Sequence, residues 1–259
     1  MSNGRAGFIL FLLLLITSPI VHAMNGREVI DKVHEVSRKE LDRKTEGTMT
    51  LYDRDGGKRT RTITEYGKNA FPEAYKILVV FKSPPDLKGV AFLIHARTFA
   101  ERDMWAYFPE YKRVRRIPTA SQDDSFFGSD FSYDDFSGPT NPDDYAYRIL
   151  KEEVVDERPC FVIEITPKIR RKYTRSVVWV AKEFWIMVKV EYYRDDELYR
   201  AGSFGDIRMI DGIPTPFTLE MQNLKTAHRT VLTLERIRYR TGFPDELFSQ
   251  QTLERVTSQ

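Results

Sequence analysis

Apolar and polar residues alternate with a period of two through most of this chain, in short runs separated by turn residues. The clearest runs are Phe184, Ile186, Val188, Val190 and Tyr192, and then Phe217, Leu219 and Met221. Strands of this kind bury one face and leave the other in water, as antiparallel sheets do. Nothing in the chain alternates strands with long helices, which a parallel sheet would require. The pattern therefore favours a large antiparallel sheet.

The predicted strands follow one another closely. They lie at about 74–82, 90–97, 103–108, 113–117, 145–155, 159–166, 175–181, 184–193, 198–210, 213–223 and 228–240, after a hairpin that turns at 53–57. About a dozen strands with short connections predict a mainly β fold with few helices (α+β), in one domain. A closed or nearly closed sheet of this size leaves room for a ligand inside.

One amphipathic helix precedes the strands. Asn25 and Glu28 have the spacing of a capping box, and Val29, Ile30 and Val33 recur on one face. The opposite face is charged, so the helix needs an apolar surface to lie on. We expect this helix to cover or plug the opening of the sheet.

The first 23 residues have the pattern of a secretory signal peptide. Arg5 precedes the unbroken apolar run FILFLLLLI at 8–16, and Pro19 and the small residue Ala23 follow it. The run is shorter than the roughly 20 residues that span a bilayer, and an uncleaved anchor is the alternative. We expect cleavage after Ala23, with residues 24–259 forming a single domain exported to the periplasm. No cysteine lies near the cleavage point, so a lipid anchor is not expected.

Composition argues against several classes of function. A formal net charge of +2 lacks the basic excess of a nucleic-acid-binding protein. The single cysteine, Cys160, excludes an internal disulfide and a cysteine-rich metal site. Beyond the signal segment the histidines are His34, His95 and His228, and no H-E-x-x-H, G-x-S-x-G or phosphate-binding motif occurs. We therefore expect no enzymatic activity, no cofactor, no metal ion and no nucleic-acid partner.

Residues 118–140 follow no strand or helix period. The segment holds Phe126, Phe127, Phe131, Tyr133 and Phe136 among Asp123, Asp124, Asp130, Asp134 and Asp135. So many aromatic residues are expected to fold back over an apolar surface, as a lid or an inserted loop does. The carboxylates are predicted to form structural ion pairs, Asp130 and Asp135 with Arg115 and Arg116 of the preceding strand. A cation site and solvated charge are the alternatives.

The same region resembles a known bacterial family. The motifs W-x-Y-x-P, R-R-I and S-F-x-G-S-D-F-S-Y-x-D are similar to those of outer-membrane lipoprotein-sorting proteins, within the wider LolA- and LolB-like group. The matching residues are Trp105, Tyr107, Pro109, Arg115, Arg116, Ile117, Ser125, Phe126, Gly128, Ser129, Asp130, Phe131, Ser132, Tyr133 and Asp135. The resemblance implies an unclosed antiparallel β-barrel of about 11–13 strands, in which helices cover an apolar cavity.

The resemblance also implies a function. Members of the wider group hold acyl chains of lipoproteins or lipids, and relatives of this subfamily are often associated with inner-membrane exporters of the resistance-nodulation-division (RND) type. The chain is longer than a typical LolA carrier and its motif region is not part of the LolA pattern, so another lipid fits as well as a lipoprotein. The predicted function is a periplasmic carrier that passes acyl chains between membranes. The alternative is a regulatory or accessory binding module on the same fold, without cargo.

The residues predicted to line the cavity or its lid are aromatic and aliphatic. They are Trp105, Tyr107, Phe126, Phe127, Phe131, Tyr133, Phe184, Ile186, Val188, Phe217 and Leu219. An accessory subunit without cargo would instead have a filled interior. The basic run K-I-R-R-K at 168–172 is either an exposed loop or a patch for anionic lipid headgroups, which would give transient membrane contact.

Overall fold

The computed structural model describes residues 24–40, 42–70, 74–97, 102–136 and 141–255. Its helices and strands are α1 (Gly26–Glu40), β1 (Arg43–Tyr52), β2 (Lys58–Ala70), β3 (Ala74–Ser83), β4 (Ala91–Ala96), β5 (Arg102–Phe108), β6 (Arg113–Ile117), β7 (Tyr145–Val155), β8 (Arg158–Pro167), β9 (Arg175–Ala181), β10 (Ile186–Arg194), β11 (Glu197–Ile210), β12 (Ile213–Asn223), β13 (His228–Tyr239) and α2 (Gln250–Arg255). The expected signal peptide at 1–23 lies outside the described residues. Among those described, no helix combines the length and the apolar character needed to cross a membrane.

The thirteen strands of the described residues form one antiparallel sheet. Its order is β6-β5-β4-β3-β2-β1-β13-β12-β11-β10-β9-β8-β7, so almost every strand pairs with its sequence neighbours. The pairing of β1 with β13 joins the first six strands to the last seven. In the described sheet β6 and β7 are the two edges and do not pair with each other, so the sheet is unclosed. The predicted mainly β architecture and the predicted number of strands are confirmed.

The antiparallel order gives the sheet two distinct ends. The β5–β6, β8–β9 and β12–β13 connections lie together at one end, which we call the rim end. At the opposite end, which we call the far end, β1 begins and β13 finishes. Residues between β6 and β7 carry the chain from one edge of the sheet to the other.

Helix α1 lies over the inner face of the second half of the sheet, against β7, β10 and β12. The predicted capping box is present, because the Glu28 amide donates to Asn25 Oδ1 at 3.0 Å and the Asn25 amide donates to Glu28 Oε2 at 2.8 Å. Val29, Ile30 and Val33 are buried against the sheet. The predicted apolar face is therefore the face that α1 buries.

The C-terminal segment covers the outer face of β3, β4 and β5. Phe248, from the short 3₁₀ turn Asp245–Phe248, and Leu253, from α2, pack in one buried cluster with Leu78, Leu93 and Tyr107. The terminal turn or helix expected from the sequence thus docks on the sheet and buries apolar surface.

The predicted alternation along β10 is wrong at Val188, because the strand has a β-bulge there. Met187 pairs with Val180 and Lys189 pairs with Trp179, so Val188 is the extra residue of the bulge. Val188 consequently packs on the outer face with Trp179 and Cys160, whereas Val190 belongs to the inner core. The strand also begins at Ile186, which leaves the preceding Phe184 in the β9–β10 turn.

The docked C-terminal segment leads to a prediction about the free energy of unfolding. Phe248→Ala removes an almost fully buried ring, and we expect the free energy of unfolding to fall by about 3–5 kcal/mol in urea denaturation. The matched control is Met209→Ala, whose side chain is exposed and whose effect should stay within about 0.5 kcal/mol. Equal effects of the two substitutions would contradict the docking.

Candidate functional site

A cavity of about 510 Å³ lies between α1, the inner face of the sheet and the segment between β6 and β7. Its middle is apolar, because the inward alternation of the strands and the buried face of α1 meet there. The apolar lining includes Ile30, Val33, Ile63, Val178, Val190, Leu219, Met221 and Leu232. This volume lies within the range of pockets that bind small molecules.

The far end of the cavity is polar. Arg43 donates to Glu65 from Nε at 2.8 Å and from Nη2 at 2.6 Å. The Thr215 and Tyr239 hydroxyls are 2.8 Å apart, and Thr45, which pairs with Glu65 between β1 and β2, lines the same cavity. Paired charges and hydroxyl groups therefore face apolar surface within one cavity.

His34 of α1 also lines the cavity. Burial lowers the pKa of its imidazole to about 4, an effect that the nearby Asp31 carboxylate only partly offsets. The side chain is therefore neutral at neutral pH and contributes no charge to the cavity wall.

The rim end of the cavity is lined by the β8–β9 connection. Lys172 donates to the backbone carbonyl of Asp123, and Arg171 lies 3.4 Å from the Asp144 carboxylate. Burial lowers the pKa of Lys172, and the carboxylate of Asp123 partly offsets that effect. Part of the basic run at 168–172 thus borders the cavity, beside carboxylates from the β6–β7 segment.

The aromatic part of the β6–β7 segment fills the inner face of the first half of the sheet. Phe126 is fully buried, with its ring centroid 5.3 Å from that of Phe92 and 4.3 Å from that of Phe136. Of the aromatic residues in this segment, Phe131 and Phe136 are those that line the cavity. The segment packs as an inserted core layer over its described part, while 137–140 lie outside the described residues.

Buried charges fix this segment to the sheet, with partners other than the predicted ones. Arg200 of β11 makes a bidentate pair with Asp135, at 2.7 and 3.0 Å, and its side chain is 6% exposed. Asp130 accepts from the Thr230 hydroxyl at 2.7 Å and lies 2.7 Å from His228 Nδ1. Burial acts to lower the pKa of Arg200, but the Asp135 carboxylate raises it overall.

The predicted pairing with β6 is therefore corrected. Arg116 bonds to Asp103 on the adjacent strand, and the guanidinium of Arg115 lies 5.7 Å from the centre of the Tyr111 ring. Sequence proximity suggested these arginines as partners of Asp130 and Asp135. The crossing of the segment towards β11 and β13 instead carries its carboxylates away from β6.

The structure places the predicted cavity residues in five different settings. Ile186, Leu219 and Phe131 line the cavity. Phe126, Phe127 and Tyr133 pack in the aromatic layer. Trp105, Tyr107 and Val188 belong to clusters on the outer face, Phe184 lies in a turn, and Phe217 packs beneath the Arg208 guanidinium.

Sequence reasoning missed the polar end of the cavity. Arg43, Thr45 and Gly47 occupy alternate positions along β1 and all three line the cavity. That alternation is a signal for a shared face, but an arginine and a threonine on an antiparallel strand are typical of a solvent-facing position. Only the pairing of β1 with β2 and β13 places Glu65 and Tyr239 beside them.

Comparisons with known proteins agree with this architecture. A family model described as an uncharacterized protein matches residues 73–255, more than half of the chain. A DUF1329 family protein from Desulfovibrio piger has a TM-score of 0.82 at 30% sequence identity, covering 88% of this chain and 97% of that chain. Among curated proteins, none matches the chain.

Two further solved structures are similar. A domain from Vibrio parahaemolyticus, described as an outer membrane lipoprotein-sorting protein, has a TM-score of 0.82 at 28% identity and covers 88% of this chain and 98% of its own. A LolA superfamily protein from Nitrosomonas europaea has a TM-score of 0.69 at 20% identity, covering 89% and 100%. The unclosed sheet with a helix over its inner face is thus a LolA-type fold. Within that class, the chain belongs to the DUF1329 family.

The buried pair that fixes the β6–β7 segment gives a second prediction. Asp135→Asn leaves Arg200 without its charged partner, and we expect the free energy of unfolding to fall by about 3–5 kcal/mol in urea denaturation. Asp206→Asn, which breaks the exposed pair with Arg208, is the control and should leave the midpoint unchanged. A small effect at Asp135 would show that the segment does not depend on this pair.

Proposed function

We propose that this protein is a non-enzymatic carrier that binds an acyl chain of a lipid or lipoprotein in its cavity and passes it between membranes. The observation that carries the proposal is the apolar cavity of about 510 Å³ beneath α1. An accessory subunit without cargo would be expected to have a filled interior. The similarity to a protein described as lipoprotein-sorting supports the same reading.

The cavity has a suitable size for hydrocarbon. Its volume lies within the range of pockets that bind small molecules, and its apolar middle suits hydrocarbon. Each CH₂ removed from water contributes about 0.8 kcal/mol, so a single chain provides enough free energy for tight binding.

The proposed setting is the periplasm, reached through cleavage of a signal peptide at 1–23. An inner-membrane exporter of the RND type is the proposed partner, on the basis of the sequence resemblance. A regulatory module on the same fold is the second candidate, and it would bind its partner without retaining lipid. Native mass spectrometry of the mature protein, purified gently from periplasm, separates the two. A retained lipid supports the carrier, whereas a bare protein that takes up no added lipid contradicts it.

A cavity substitution tests where cargo binds. Leu219→Arg places a charge on the apolar wall, and we expect at least a tenfold loss of affinity for a long-chain lipid, about 1.4 kcal/mol or more. The measurement is displacement of the neutral fluorescent probe N-phenyl-1-naphthylamine. Val154→Arg is the control, because Val154 is exposed near the end of edge strand β7. Equal affinities for the two variants would place the ligand outside this cavity.

Transfer between membranes needs contact with a bilayer, and the rim end has suitable side chains. Tyr111, Ile169 and Leu224 are exposed apolar residues, one in each of the β5–β6, β8–β9 and β12–β13 connections. Each is followed by a cation, and the β8–β9 connection carries four cations between 168 and 172. The rim turns 53–57 and 195–196 and the far-end turns 156–157 and 211–212 are acidic, so the basic and apolar side chains are concentrated in these three connections. We propose the rim end as the face that meets an anionic bilayer.

Vesicle co-sedimentation tests the rim. Ile169→Asp is expected to lower binding to phosphatidylglycerol-containing vesicles about tenfold, because one buried apolar side chain contributes about 1.5–3 kcal/mol. Added salt should weaken binding of the unsubstituted protein through screening. Met209→Asp, at an exposed position near the far end, is the matched control. Equal losses at both positions, or no dependence on anionic lipid, would overturn this orientation.

A further inference from the structure

The far end of the cavity contains more buried polar groups than a hydrocarbon site needs. Glu65 is 8% exposed and Thr45 is 7% exposed, yet both line a cavity whose middle is apolar. A buried ion pair contributes little stability compared with apolar residues of the same volume. In apolar pockets, a few placed polar groups usually fix the orientation of the ligand.

Thr45 supplies an independent observation. Its hydroxyl oxygen is buried and has no hydrogen-bond partner among the described residues. A buried polar atom without a partner is rare and costly in folded proteins. Rotation about χ1 exchanges the positions of the hydroxyl and the methyl group, so the hydroxyl can turn to a polar ligand group in the cavity.

The charges around Thr45 select the kind of ligand group. Arg43 and Glu65 neutralise each other at 2.6 Å. A carboxylate or phosphate bound there would be repelled by the Glu65 carboxylate, and an ammonium group would be repelled by the Arg43 guanidinium. An alcohol carries no charge and is repelled by neither, and its hydroxyl can both donate and accept hydrogen bonds. On the adjacent wall, Thr215 donates to the Ile213 carbonyl and lies 2.8 Å from the Tyr239 hydroxyl, so the donor protons of this pair are used within the protein and a ligand hydroxyl would act towards it as the donor.

We propose that the far end of the cavity, formed by Arg43, Thr45, Glu65, Thr215 and Tyr239, is a subsite for the uncharged, hydroxyl-bearing head of a lipid. This inference rests on the proposed function, since the acyl chain would occupy the apolar middle of the same cavity. The rim end is a poorer candidate for this subsite. Its Arg171 is exposed and already lies beside the Asp144 carboxylate.

Three probes with the same acyl chain test the subsite in displacement of N-phenyl-1-naphthylamine. We expect monopalmitoylglycerol to bind about tenfold more tightly than methyl palmitate, and palmitate to bind no more tightly than the methyl ester. Thr45→Val should lower the affinity for monopalmitoylglycerol about three- to tenfold, in line with the loss of one hydrogen bond. Its affinity for methyl palmitate should be unchanged. Thr50→Val, on the same strand but the opposite face, is the matched control.

A charge variant adds a second test. Glu65→Gln keeps a hydrogen-bonding side chain but removes the negative charge beside Arg43, so palmitate should gain affinity about tenfold relative to monopalmitoylglycerol. Equal affinities of all three probes, with no effect of Thr45→Val, would overturn the subsite while leaving the carrier function intact. Preference of the unsubstituted protein for palmitate would assign an anionic head instead and would also overturn the proposal. Failure of all three probes to bind would count against the carrier function itself, and the subsite would fall with it.

Discussion

The structure depends on the need to cover the inner face of a sheet that is thirteen strands wide and unclosed. A sheet with an apolar face must bury it against another layer, and the residues that the structure describes form no second sheet. Helix α1 covers the inner face of the second half, and the aromatic layer around Phe126 covers that of the first half. The two covers have different shapes and do not fill the space between them. The cavity is the volume that remains.

The described part of the β6–β7 segment consists of short 3₁₀ turns rather than strands, and many of its backbone groups bond to one another, such as the Phe126 amide to the Phe131 carbonyl at 2.7 Å. Side chains of the sheet supply further partners. Arg61 of β2 donates to the Phe127 carbonyl at 2.6 Å, and Arg200 of β11 reaches both the Asp130 carbonyl and the Asp135 carboxylate. Each half of the sheet thus contributes an arginine to the same segment. The acidic and aromatic composition of the segment reflects this double attachment, with rings in the core and carboxylates bonded to the sheet.

The sequence predicted those features that depend on local periodicity. The capping box at Asn25, the buried face of α1 and nearly every strand follow from spacing alone, and the structure has them. The motif region also led to the correct family. Features that depend on long-range pairing were not predictable in this way. The bulge at Val188 moves one residue to the other face, and the partner of Asp135 is 65 positions away at Arg200. The polar end of the cavity was not predicted for the same reason, because the pairing of β1 with β2 and β13 is what places Glu65 and Tyr239 beside β1.

The two ends of the cavity have a geometric relation that follows from the way a lipid lies in a bilayer. A lipid presents its head at the membrane surface and its chain towards the interior. A carrier that docks by its rim end therefore meets the head first, and straight extraction moves the head through the cavity before the chain. Under the proposed function, the head would then reach the far end at Arg43 and Thr45, and the chain would follow into the apolar middle around Val190. On this geometry the polar subsite belongs at the end opposite the membrane. Release at a second membrane reverses the path, so the chain can enter hydrocarbon before the head leaves its hydrogen-bonding partners. Each CH₂ then moves from one apolar environment to another with little exposure to water, so the burial free energy of about 0.8 kcal/mol for each CH₂ is retained.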